Sequence, residues 1–296
     1  VVLGVRAAPD GSSIVSRSYD GTLRVWRTRD AAPLREVLDH GSMVEDAEYI
    51  ERGRRIASVG DDGRLLVWSP EGNDLAVRFA QATPLTGVEA LAYNDHLVVK
   101  DTAGAMWDVA PDGRHRQVRD PDGAAVTVLR ASSDGRHVAT GTDTGVVTIY
   151  ETSRWQVVRT MRAEGTIGAL QFDPRGRELI FAAEAGRSQA GHVAVIPLGA
   201  APRFGWREVA AAARDIAYTA DGETVAFVCP DGGTWLYRIA GDTWAYTRDH
   251  DSDVLGGRFS PDGALFVSAD HRGVVVVRDV AATWNAAVHP RSPGVP

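Results

Sequence analysis

Residues 58–68 read SVGDDGRLLVW and place a hydroxyl at Ser58, a carboxylate at Asp62 and an indole at Trp68, with His40 lying 22 residues before that aspartate. The apolar, β-branched runs on either side of Asp61-Asp62-Gly63 read as two short strands joined by a tight turn. The four polar types complement one another. An indole offers one N–H donor, a hydroxyl and an imidazole each donate and accept, and a carboxylate ends the series as an acceptor. Fully satisfied, such a buried network pins strands and a loop together; partly satisfied, it is costly.

Working outward, the pattern recurs. Turn glycines stand at Gly11, Gly53, Gly135, Gly176, Gly222 and Gly263, with Asn94-Asp95 as a shortened version, a mean spacing of 42 residues over six intervals. Before each turn comes a strand with an aromatic in register at Tyr49, Tyr93, Phe172, Tyr218 and Phe259, replaced by Ala7 and Ala131 in two repeats. After it comes a second strand, a further turn, an alternating third strand such as TLRVW or RLLVW, and a weaker fourth such as PLREVL or QVVRTM. Self-similarity at this period means a repeat architecture, and short β-branched runs between Gly, Asp and Pro turns mean antiparallel strands. The nearest candidate for a helix, REVAAAARDIAY, falls where strands are due.

Seven units of this kind resemble the WD-repeat β-propeller family over essentially the whole chain, although only Trp107-Asp108 spells the dipeptide. The resemblance implies an all-β fold: a single seven-bladed propeller over 1–290 with four-stranded antiparallel blades. The blades would span about 1–41, 42–84, 85–123, 124–165, 166–212, 213–252 and 253–290, with 291–296 a flexible tail. It also maps a structural tetrad onto His40, Ser58, Asp62 and Trp68. Ser, His and Asp also make catalytic triads, but those need an exposed serine and an oxyanion hole, and a spacing shared between repeats indicates architecture.

The tetrad decays along the chain. The first unit keeps Ser16, Asp20 and Trp26; the fourth has Thr140, Thr144 and Tyr150; the fifth and sixth put Phe181 and Phe227 at the hydroxyl position. The seventh keeps His250 and Ser268 but has Arg272 and Arg278 where Asp and Trp are due. Once the network is broken, apolar replacements of its members are nearly neutral. The segment TWNAAV is expected to be the last fourth strand, and His289 beyond it to serve Ser16, Asp20 and Trp26.

Composition narrows the function. A net charge of −7 gives no electrostatic case for nucleic acid or an anionic membrane. Cys229 is the sole cysteine, so no intrachain disulfide forms and a reducing, cytoplasmic setting is expected. Lys100 is the sole lysine among many arginines, a bias that fits a high-GC bacterial gene. No phosphate loop, G-x-S-x-G elbow or zinc spacing is present, and no cofactor or catalytic residue is assigned. Asp249, Asp251 and Asp253 alternate like a calcium loop, yet Val254 and Ser260 stand where its Gly and Glu belong, so a solvated loop is the plainer reading and no metal is assigned.

By family analogy the residue before each tight-turn Asp points to a binding face, selecting Tyr19, Asp61, Lys100, Asp143, Pro230 and His271. A longer turn in the fifth repeat adds Arg187, with Ser188 and Gln189, as contact residues. The resemblance implies a non-catalytic protein-interaction scaffold or sensor domain. Its partner would be a protein or peptide, and its effector would lie elsewhere in a larger bacterial signalling or defence protein, as the start at Val1 rather than Met fits. The rival reading is a small-ligand or hydrolase-type propeller, lactonase-like or peptidase-associated, which the sixth repeat resembles.

Overall fold

The computed structural model describes residues 2–37, 39–72, 74–121, 123–184, 191–199, 207–209, 213–286 and 288–289. It falls into two compact units, Val1–Val138 with Tyr150–Gln156, and Ala139–Ile149 with Val157–Pro296.

The first unit contains three sheets, each a four-stranded antiparallel meander. They are β1–β4 (Val2–Ala7, Ser13–Ser18, Leu23–Arg27, Pro33–Val37), β5–β8 (Val44–Ile50, Arg55–Gly60, Arg64–Trp68, Leu75–Ala80) and β9–β12 (Leu85–Leu91, His96–Asp101, Met106–Val109, His115–Val118). A fourth sheet runs β13–β16 (Val126–Ala131, His137–Thr142, Val146–Glu151, Gln156–Arg162).

The second unit holds β17–β20 (Ile167–Phe172, Glu178–Glu184, Gly191–Pro197, Arg207–Val209) as another four-stranded sheet. Its last strands are β21–β24 (Asp215–Tyr218, Thr224–Val228, Gly233–Arg238, Thr243–Arg248) and β25–β27 (Val254–Phe259, Leu265–Asp270, Val275–Asp279). These are followed by helix α1 (Val280–Ala286) and the two-residue β28 (Val288–His289).

The chain's end departs from the repeat. Residues 283–286 of the expected last fourth strand lie in α1, so among the described residues the seventh sheet has three strands, and β28 joins β24 to make the sixth sheet five-stranded. The local chemistry explains the helix. Asp279 caps it by accepting the Ala282 amide at 2.8 Å, and alanine-rich VAATWNA favours helix once the cap is set. Val280 and Trp284 then bury against Leu236, Ala245 and Phe266. His289 consequently pairs in register with Trp244 instead of following a strand of the seventh sheet.

The second strands are the most deeply buried; β22 is buried throughout, and Ile56, Ala57, Ser58 and Val59 of β6 are fully enclosed. Each large aliphatic side chain enclosed this way contributes roughly 1.5–3 kcal/mol. The turns between first and second strands repeat one device. Ser132, Thr219 and Ser260 each donate to an aspartate two residues on (Asp134, Asp221 and Asp262) at 2.6–2.7 Å. Each hydroxyl also accepts the amide five residues on, at His137, Thr224 and Leu265. Gly135, Gly222 and Gly263 follow with positive φ, which a side chain would strain.

Among the described residues, no helix is long and apolar enough to cross a membrane.

Candidate recognition site

In the second sheet the polar side chains form one continuous relay. Trp68 Nε1–H donates to Ser58 Oγ at 3.2 Å, and the Ser58 hydroxyl donates to His40 Nε2 at 2.9 Å. His40 Nδ1–H donates to Asp62, 3.1 Å from each carboxylate oxygen. This direction of donation needs a neutral imidazole, and burial supplies it by pushing the His40 pKa down against the opposing pull of Asp62. Burial of Asp62 favours its neutral form, but the Arg64 amide at 3.0 Å, His40 and the Arg64 side chain outweigh it and hold the carboxyl below its ordinary value. Ser58 and Trp68 are wholly enclosed, so no substrate reaches this serine.

The other sheets keep fragments of the relay. In the first sheet, Trp26 donates to Ser16 at 2.9 Å, and Ser16 turns to the Arg24 carbonyl at 3.4 Å. The His289 side chain lies outside the described residues. In the third sheet, Gln81 Nε2 reaches Asp101 at 3.2 Å. Tyr150, standing where Trp68 stands, donates to Asp120 at 2.8 Å.

The seventh sheet corrects the sequence expectation. His250 Nε2 lies 2.8 Å from Ser268 Oγ, and the nearby acid is Asp270, 3.3 Å from Nδ1, rather than a residue at position 272. Asp270 sits two residues earlier than the Asp62 position and accepts the Arg272 and Val274 amides, each at 2.9 Å. Arg278, in the Trp68 position, donates from Nε to Asp249 at 2.7 Å. That bond, with one to Thr247, occupies Asp249, and Arg214 lies 3.7 Å from Asp253. Among the described residues, no group of three or more His, Cys, Asp or Glu is placed to hold a metal ion.

The tight turns after the second strands are registered by positive-φ glycines at Gly21, Gly63, Gly104, Gly145, Gly232 and Gly273. Two residues before each glycine stand Tyr19, Asp61, Thr102, Asp143, Pro230 and His271. Tyr19 is 66% exposed; Asp61, Thr102, Asp143 and His271 also face solvent, and Pro230 is half-buried. Lys100 falls out of this register. It is a strand residue two positions earlier, half-buried along Gly87, with Nζ donating to Thr86 Oγ1 at 2.7 Å. The position it was expected to fill belongs to Thr102. Arg187, Ser188 and Gln189 lie outside the described residues.

A second feature recurs beside these turns. The first strands of five sheets carry a β-bulge near their start, at Leu3, Glu45, Thr86, Gly168 and Leu255. Bulges re-aim the extra side chain and often border functional sites. In the first unit the bulged Glu45 comes under the influence of Asp61, Arg17 and Lys100; burial, then Asp61, pushes its pKa up. Burial pushes Lys100 down, against Asp46 and Glu45. Asp61 and Lys100, two of the residues selected from sequence, thus belong to one electrostatic neighbourhood.

That neighbourhood extends along the first strands. Arg6 lies 3.3 Å from Glu48, Arg17 3.8 Å from Asp46, and Arg130 3.2 Å from Glu89. Asp46 accepts the Val88 amide at 3.3 Å and Glu89 the Ala131 amide at 3.1 Å, each 42 residues on. In the second unit Asp215 does the same for Gly257 at 3.3 Å. Burial lifts the Glu48 pKa to about 7, with Glu89 and Asp46 adding to it and Arg6 opposing. Sequence reading missed these residues; the signal available was three acids within VEDAEYI, a strand otherwise bound for burial.

Comparison with known proteins places these features. Residues 1–27 match the family model described as WD40: WD domain, G-beta repeat. Over 265 residues the chain is 24% identical to the Periodic tryptophan protein 2 homolog of Dictyostelium discoideum, covering 83% of this chain and 27% of that protein. Over 193 residues it is 23% identical to WD repeat-containing protein 90 of Xenopus tropicalis, covering 61% of this chain and 10% of that protein. A Nuclear distribution protein PAC1 of Arthroderma otae is 24% identical over 180 residues, with 35% of its length covered. The chain therefore spans about a third or less of these relatives. The crystal structure of the Myceliophteria thermophila Cps50 (Swd1) beta-propeller domain matches with a TM-score of 0.78 at 16% identity, covering 94% of this chain and 97% of that one. The fold is a seven-bladed β-propeller, nearly all-β.

Proposed function

We propose that this chain is a non-catalytic protein-interaction propeller that holds a protein or peptide partner through its tight-turn residues. In the first unit the contact residues are Tyr19 and Asp61, with Thr102 completing the register and Lys100 and Glu45 adding charge beside Asp61; the second unit presents Asp143, Pro230 and His271. One observation carries this reading: within a single turn, Asp62 is bound inward by the relay while its neighbour Asp61 faces solvent. The chain spends its polar chemistry on holding the turn and leaves the adjacent side chain available. The sealed serine argues against a hydrolytic use of the same residues.

We further infer that the effector activity resides outside this propeller, in a larger bacterial signalling or defence protein of the cytoplasm. The arginine-rich, nearly lysine-free composition and the lone, buried Cys229 support that inference. The test is capture from the native host with the intact propeller, in parallel with a Tyr19→Ala, Asp61→Arg variant and an off-face Glu71→Ala control. Retention by the wild type and the control but loss by the turn variant is expected. Equal capture by all three moves the contact surface elsewhere, and turnover of an ester or lactone panel without any retained protein overturns the reading.

A further inference from the structure

Lys100, the sole lysine of the chain, sits on β10 opposite Gly87 and beside the bulge at Thr86. Gly87 presents no side chain, and the hydrocarbon stem of Lys100 lies where one would stand. The stem is packed and the amine is held in place, half-buried, instead of trailing into water. Nζ donates to the Thr86 hydroxyl at 2.7 Å; among the described residues its bonded partner is this neutral oxygen and not a carboxylate.

The charges around it all belong to the first unit. Burial disfavours the ammonium and lowers its pKa, while Asp46, Glu45 and Asp101 attract the charge and Arg130 repels it. Glu45, on the bulge of the second sheet, is shifted the other way. Burial, then Asp61, raises its pKa, with Arg17 and Lys100 opposing. An amine eased toward its neutral form and a carboxyl inclined to keep its proton thus share one neighbourhood.

Neutral lysine is a nucleophile, and half-burial along a glycine admits only small electrophiles. The surrounding acids choose among them. Acylation would cancel the charge and carbon dioxide would invert it, each leaving Asp46, Glu45 and Asp101 short of a cation. Condensation with a carbonyl compound keeps it.

We propose that Lys100 is a covalent capture site for small, uncharged aldehydes, which it holds reversibly as a protonated Schiff base. The neutral amine adds to the carbonyl carbon, forming the C–N bond of a carbinolamine, and the C–O bond then breaks. Of the three ammonium protons one stays on the iminium nitrogen and two leave with the carbonyl oxygen as water, so atoms and charge balance without a co-reactant. Glu45 is assigned the transfer of those protons between nitrogen and oxygen. The site involves no partner protein and does not rest on the reading above.

The test is reductive trapping of the full chain with propionaldehyde and cyanoborohydride, mapped by peptide mass spectrometry across pH. The reference is the double variant Lys100→Arg, Arg119→Lys, whose amine stands at an exposed position. At neutral pH the folded wild type should be trapped at Lys100 about tenfold or more faster than the reference amine, with a rate that saturates in aldehyde. Unfolding in urea should abolish the advantage. Thr86→Val removes a hydroxyl that favours the ammonium, so the midpoint of rate against pH should move lower still, a shift that a merely structural role would not produce. Glu45→Gln should slow trapping at saturating aldehyde while leaving the circular dichroism unchanged. Equal rates at Lys100 and the reference, equal trapping of folded and unfolded chains, or an unmoved midpoint in Thr86→Val overturn the capture site. A Glu45→Gln rate equal to wild type overturns the role given to Glu45.

Discussion

Arg278 stands in the seventh sheet where Trp68 stands in the second, and its Nε donates to Asp249 at 2.7 Å. A planar guanidinium replaces an indole, and an acid from the preceding loop replaces the serine as its acceptor. Arg278→Ala takes the cationic partner from Asp249, largely covered, and leaves it the Thr247 hydroxyl. A loss of about 1–3 kcal/mol is expected, and a double-mutant cycle with Asp249→Ala in urea denaturation should show the two changes to be strongly non-additive.

The relay around Ser58 predicts a graded series. Ser58→Ala strands both the Trp68 N–H and the His40 Nε2, and an unsatisfied buried group costs about 1–3 kcal/mol. Trp26 in the first sheet is only partly buried, so Ser16→Ala should cost less. Equal losses on chemical denaturation would contradict the burial argument.

His40 and Glu48 pull in opposite directions as pH changes. Burial depresses the His40 pKa below 6.5, so the unfolded chain binds its proton more readily and stability rises with pH from that depressed value up to about 6.5. Glu48 is lifted from 4.5 to about 7, so stability falls as pH rises through that interval. Its side chain keeps 32% of its exposure, and water tempers the effect. In the wild type the two trends oppose each other between pH 5 and 7. Glu48→Gln should reveal a rise with pH, and His40→Gln a fall.

Two glycines with similar φ separate backbone preference from steric exclusion. Gly11 has φ +70 with open space where a Cβ would stand, and Gly63 has φ +69 with the Gln81 carbonyl oxygen occupying that place. Gly11→Ala should cost about 1 kcal/mol from the left-handed conformation alone. Gly63→Ala should cost several times more, read as a larger drop in melting temperature.

The repeat and the second-sheet relay were legible because both rest on local chemistry at fixed spacing, turn glycines and complementary donors and acceptors. The seventh acid was missed because Asp270 does its work from the end of a strand, two residues ahead of the turn position, filled by Arg272, that spacing selects. Lys100 was misassigned for the same reason, since Asp101, like Asp270, ends its strand three residues before the turn glycine. Helix α1 was read as a strand because its place in the repeat was weighed above its alanines and its Asp279 cap. The acid-to-amide contacts from Asp46 and Glu89 join residues 42 apart through pairing between sheets, and no local pattern announces them.

Those contacts make neighbouring repeats a matched series. Asp46 meets its obligation in the third repeat, Glu89 in the fourth and Asp215 in the seventh, each to a backbone amide that any residue except proline would present. Drift in the recipient's side chain is therefore cheap, while loss of the donor repeat's acid orphans a neighbour. Excising or duplicating one repeat would therefore leave each acid facing an equivalent amide in whichever repeat follows, so such a chain can lengthen or shorten by single units without breaking the succession.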